Sequence, residues 1–174
     1  MAGAPSIASL FAQRVVVGVG DLGVSNNPAI TLSTYALGSC IALAVYDPVA
    51  KAGGLLHLML PESSISPEKA LSQPAMFADT GLPLLFRALF GVKAERGRLR
   101  IFVAGGASVL TGNDNFRIGE RNIRATQVWL TQQGYGVRGS AVGGTISRTV
   151  HLDIGTGSIS LKTPLASEVF SLAA

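Results

Sequence analysis

The chain has 174 residues, of which 48% are hydrophobic and 14% charged, and its formal net charge is +4. That length supports one domain with its own core, and so apolar a composition excludes a disordered chain. Arg14, Asp47, Lys51 and Arg87 break the apolar runs short of the roughly 20 residues a membrane-spanning helix needs, and no Lys or Arg precedes the first apolar stretch as a secretory signal requires; both features point to a cytoplasmic protein.

Residues 1–13 read as a flexible N-terminal tail, and a strand is predicted at 14–19. Gly18, Gly20 and Gly23 then spell GxGxxG, the string that cradles a pyrophosphate when a helix comes directly after it. The next residues are Val24-Ser25-Asn26-Asn27-Pro28, a turn-forming stretch closed by a proline, so a hairpin or loop is expected and nucleotide binding is not. Strands come next at 30–35, 41–46 and 55–60, rich in Val, Ile and Leu and bounded by Gly, Pro or Asp. A helix is predicted from Pro74 to Gly91, with Met76, Phe77, Leu82, Leu85, Phe86 and Leu89 as its apolar positions and Pro83 as a kink. After a strand at 99–103, a second helix spans 119–133, placing Ile123, Trp129 and Leu130 near one face and stopping at Gly134. Strands at 136–142, 149–154 and 158–162 complete a domain over 14–164, and 165–174 reads as a C-terminal tail. Runs of strands with two interspersed helices describe an α+β domain rather than a βαβ alternation.

One cysteine, Cys40, excludes an internal disulfide, and two histidines, His57 and His151, leave any closed zinc site short of ligands; neither a metal nor a cofactor is expected. His151, at the start of a strand, reads as structural or exposed rather than catalytic. Cys40 is either a small buried residue or a thiolate nucleophile.

The segment around Cys40 favours chemistry. Strands 41–46 and 55–60 read as a β-hairpin turning near Asp47-Pro48. A tight turn at Pro48-Val49 sets Cys40 directly opposite His57; a longer loop changes the register, and only an even shift keeps the two on one face. A thiol beside an imidazole is activated, and the imidazole then returns a proton to the leaving group. Thr34, six residues before the cysteine, offers a hydroxyl or a backbone carbonyl to hold the ring. Gly38 and Ser39 suit an oxyanion site, since glycine lets the chain turn so that amides, with or without the Ser39 hydroxyl, face the developing charge. The alternative is an ordinary strand entry at Gly38 and a hydrogen-bonded core histidine at His57.

Thr34-x5-Cys40, Leu37-Gly38-Ser39-Cys40, Tyr46-Asp47-Pro48 and the run from Gly53 to Pro61 resemble the chemoreceptor glutamine deamidase family CheD. Phe77-Ala78-Asp79, Gly105-Gly106-Ala107, Ile118-Gly119-Glu120-Arg121-Asn122, Val142-Gly143-Gly144, Arg148 and Thr156-Gly157 extend the likeness over residues 15–164. Ala104, Ala141 and Ser147 depart from the family pattern. The resemblance implies a layered α/β/β fold, with mixed β-sheets in a sandwich flanked by two or three helices, like that of toxin deamidases. It implies a cysteine hydrolase that converts receptor glutamines to glutamates, with Cys40 as nucleophile, His57 as base and acid, and Thr34 as the orienting residue. Chemoreceptor helices and a CheC-type phosphatase are the implied partners. A binding module that acts mainly through CheC, with little catalysis, is the alternative.

Between Arg87 and Arg148 the chain carries ten Lys or Arg and three acidic residues. They are scattered without a motif or interleaved aromatics, which excludes nucleic acid as a partner and leaves a solvated face or a surface that steers acidic helices.

Overall fold

The computed structural model describes residues 12–109 and 114–174. Among these residues, two mixed five-stranded sheets and three helices make an α+β fold in three layers. The first sheet has the order β1-β3-β8-β9-β10, formed by β1 (Gln13–Val16), β3 (Ile30–Leu37), β8 (Arg148–Asp153), β9 (Ser158–Lys162) and β10 (Ser167–Ser171). The second runs β2-β5-β4-β6-β7, from β2 (Asp21–Ser25), β5 (Ala52–Leu58), β4 (Ile41–Asp47), β6 (Arg100–Gly105) and β7 (Val137–Val142). Helices α1 (Pro67–Ser72), α2 (Ala78–Gly91) and α3 (Ile118–Gln132) accompany it.

The sequence explains why the second sheet is central. Strands β4 and β5 are apolar at nearly every position and every residue in them is buried, as a sheet covered on both faces requires. One face, carrying Ala42, Ala44, Tyr46, Leu55 and Phe102, packs against Leu32, Val150, Leu152 and Ile159 of the first sheet. The other, carrying Ile41, Leu43, Val45, Leu56 and Leu58, packs against Leu82, Leu85 and Leu89 of α2 and Leu130 of α3.

Several expectations need correction. The GxGxxG segment indeed leads into no helix, but Gly23 lies within β2, which pairs antiparallel with β5. The first long helix begins at Ala78, because Phe77 is extended (φ −114°, ψ 145°) and Met76 O accepts from both Met59 N and Leu60 N. That pairing with the segment after β5 confines Pro74–Met76 to a separate 3-10 turn. Residues 165–174 are not a tail: Ser167–Ser171 pairs with β9 as an edge strand, Phe170 packs on Phe102 with ring centroids 5.0 Å apart, and Leu172 is buried in the core between the sheets. Of the expected N-terminal tail, residues 1–11 lie outside the described residues, and Gln13 already belongs to β1.

Candidate active site

The hairpin register comes out two residues from the one a tight turn gives. Asp47 pairs with Ala52, so Pro48 to Lys51 form a four-residue loop, and His57 faces Ala42. Asp47 accounts for the longer loop, because its Oδ1 accepts from the amides of Val49 (2.9 Å) and Ala50 (3.1 Å). A shift of two preserves the face, so Cys40, two residues before Ala42, remains on the inter-sheet side with His57 as a diagonal neighbour. Its side chain is half-buried against the inter-sheet core.

Thr34 reaches His57 from the other sheet. The parallel pairing of β1 with β3 carries the chain to Val17, whose carbonyl accepts from Thr34 Oγ1 at 2.7 Å. Thr34 Oγ1 also lies 2.7 Å from His57 Nδ1. A hydroxyl has one proton, and a carbonyl accepts only; with that proton committed to Val17 O, Thr34 must accept from Nδ1–H. The remaining nitrogen, Nε2, therefore carries the lone pair. It is buried and has no hydrogen-bond partner among the described residues. The glycine string contributes as well, since Gly20 N donates to His57 O at 2.8 Å while the chain crosses from the first sheet to the second.

Burial favours the neutral form of both side chains. It lowers the His57 pKa from 6.5 to about 4, and it raises that of the Cys40 thiol, with the residue's own backbone N–H acting in the opposite sense. Among the described residues no hydrogen bond joins the Cys40 thiol to the His57 imidazole.

The loop from Gly38 to Cys40 is pinned through its carbonyls. Gly38 O accepts from Ala107 N and Cys40 O from Gly106 N, each at 2.8 Å, and Ser39 O accepts from Asn122 Nδ2 at 2.9 Å. Gly105 makes the approach possible: its φ is +108°, and a Cβ there would lie 2.1 Å from Cys40 O. Helix α3 packs just as closely, for a Cβ on Gly119 would lie 2.6 Å from Gly106 O. Beside the loop lies a cleft lined by Ser39, Ala107, Val109, Phe116 and Ile118, in which Phe116 is 75% exposed.

Asn122 is the site residue that hydrophobic patterning passes over. The buried positions of α3 are Gly119, Asn122, Thr126 and Leu130, a helical stripe that is polar for most of its length. The signal that could have found it is that spacing. His151 is buried, with Nδ1 2.7 Å from Ser33 Oγ, consistent with a structural role. Among the described residues no group of three or more His, Cys, Asp or Glu is placed to hold a metal ion.

Comparison with known proteins agrees with the motifs. A family model described as CheD chemotactic sensory transduction matches residues 59–163. A "Probable chemoreceptor glutamine deamidase CheD 1" from Syntrophus aciditrophicus is 47% identical over 149 residues, covering 86% of this chain and 93% of the relative. A similarly named protein from Solibacter usitatus is 48% identical, covering 86% and 89%, and one from Pyrococcus abyssi is 35% identical, covering 90% and 96%. Among solved structures, Neisseria meningitidis protein NMB0706 is similar over 74% of this chain and 64% of its own, with a TM-score of 0.47 and 10% identity. The chain belongs to the CheD family.

Proposed function

We propose that the protein is a protein-glutamine deamidase acting on chemoreceptors, with Cys40 as nucleophile, His57 as base and acid, and Thr34 as the residue that orients the imidazole. The observation that carries this reading is the chain Val17 O, Thr34 Oγ1, His57 Nδ1, which leaves Nε2 buried and unpartnered among the described residues, on a histidine that shares its face with Cys40. Membership of a family whose relatives bear the deamidase name supports the substrate class.

The thiol proton passes to Nε2 as sulfur bonds to the glutamine amide carbon, and the carbonyl electron pair moves to oxygen. Gly38, Ser39 and Cys40 supply the site for that oxyanion through the amides of Ser39 and Cys40. Collapse breaks the C–N bond, and His57 gives its proton to the departing ammonia. Water, deprotonated by Nε2, then attacks the thioester; the C–S bond breaks, the proton returns to sulfur, and glutamate remains. No cofactor enters this scheme.

The test is incubation with a receptor cytoplasmic fragment, then mass spectrometry for glutamine-to-glutamate conversion. Cys40→Ala should abolish conversion while leaving the fold intact; a wild-type rate in that variant removes the nucleophile assignment. A cytoplasmic location is proposed with this substrate, whose receptor helices are cytoplasmic; no helix among the described residues is long and apolar enough to cross a membrane. A CheC-type phosphatase is proposed as a regulatory partner on family membership. Titration calorimetry with the cognate phosphatase checks it, and absence of binding removes it.

A further inference from the structure

We infer that Asn122 is a positioning residue for the oxyanion site: by holding the Ser39 carbonyl it aims the N–H of Cys40 at the substrate oxygen. The inference rests on the function proposed above. In a trans peptide the C=O of one residue and the N–H of the next point in opposite directions. The bond from Ala107 N to Gly38 O therefore orients the Ser39 amide, and the bond from Asn122 Nδ2 to Ser39 O orients the Cys40 amide. Neither of those amides donates to a protein acceptor among the described residues.

Two of the three anchors, Ala107 N and Gly106 N, are backbone groups that any residue would supply. The middle one is a side chain. Asn122 is fully buried, and its Nδ2 spends its second proton on Met59 O, also at 2.9 Å. One amide group thus ties the nucleophile's loop to the residue two beyond His57. Its Oδ1 is buried with no donor among the described residues, an arrangement that costs stability and marks the group as placed for its NH2.

The test separates oxyanion stabilisation from thiol activation. Wild-type protein and the variants Asn122→Asp and Asn122→Ala are assayed for deamidation of a receptor cytoplasmic fragment and for alkylation of Cys40 by iodoacetamide across pH. Alkylation displaces iodide at a saturated carbon and develops no carbonyl oxyanion, so it reads the thiol and imidazole alone. The expected result is a kcat lower by roughly 10- to 100-fold, a KM within about threefold, and an alkylation rate and pH midpoint like those of wild type. A kcat within about threefold of wild type overturns the inference, as does a parallel fall of kcat and alkylation, which marks a merely structural role. Should the variants fail to fold, the wild-type protein is titrated with a peptide carrying a γ-aldehyde in place of the glutamine amide. The hemithioacetal should move the Cys40 amide resonance downfield, and an unmoved resonance overturns the inference. A wild-type protein that releases no ammonia removes both this inference and the function beneath it, whereas active wild type with equally active variants removes this inference alone.

Discussion

At the scale of single residues, the proposed chemistry turns on where one hydroxyl proton goes. Thr34 gives it to Val17 O and so fixes the His57 tautomer that leaves Nε2 basic. Thr34→Val keeps the volume but leaves both the Nδ1–H and the Val17 carbonyl without a partner, so kcat for ammonia release should fall by about 100-fold, toward the upper part of what general acid–base catalysis contributes. Thr34→Ser retains the hydroxyl and should stay within about fivefold of wild type; equal losses in the two would mean that the methyl, not the hydrogen bond, matters. The same environment sets the pH profile. Burial lowers the His57 pKa to about 4, so the basic form is present above that pH and absent below it. The acid limb of kcat/KM should therefore lie near pH 4; a limb near 6.5, the ordinary imidazole value, would show a solvated ring.

At the scale of elements, the β4–β5 hairpin was legible in its strands and in the face shared by Cys40 and His57, while its register was not. Loop length depends on what a buried carboxylate does. Asp47 is fully buried, accepts from the amides of Val49, Ala50 and Glu95, and meets Arg98 with Nη2–Oδ2 at 2.9 Å. Burial opposes its ionisation, but Arg98 and the three amides prevail and hold its pKa at about 2, below the ordinary 3.8. A depressed carboxyl pKa stabilises the fold fully above 3.8, and that contribution is lost as pH falls through about 2. Asp47→Asn should cost about 3 kcal/mol in urea unfolding at neutral pH and flatten the stability change between pH 4 and 2; an unchanged acid limb would assign the transition to other groups. The elements missing from the sequence reading share a cause. Helix α1 buries none of its residues, and β10 presents only Phe170 inward, so neither carries the apolar periodicity by which elements are recognised. Asn122 escaped for the opposite reason, being deeply buried on a stripe made of polar residues.

At the scale of the whole molecule, the layers carry different duties. The cations between Arg87 and Arg148 keep their charge but differ in their contacts. Arg98 is committed to Asp47, Arg121 to Glu62, Arg117 to Glu120 and Arg148 to the Gly143 carbonyl, while the Arg96 guanidinium sits 4.5 Å from the Tyr135 ring centroid. What spans the molecule is the candidate site itself, since Thr34 belongs to one sheet, His57 to the other, and Cys40 lies directly before β4 of that second sheet. The approach of Thr34 to His57 therefore depends on the packing between the sheets, while α3 holds the loop before Cys40 through Asn122. Leu152 and Leu85 allow a matched comparison, for both are fully buried, the first between the sheets and paired with Leu32, the second beneath α2. Replacing either by Ala should cost about 2–5 kcal/mol. Only Leu152→Ala should also lower kcat, by about tenfold, because a cavity between the sheets lets Thr34 drift from His57 and small misplacements are expensive in rate. Urea unfolding measures the first effect and ammonia release under fully folding conditions the second. Equal kcat values in the two variants would mean that the site is held by its local hydrogen bonds alone, whatever the sheets do behind it.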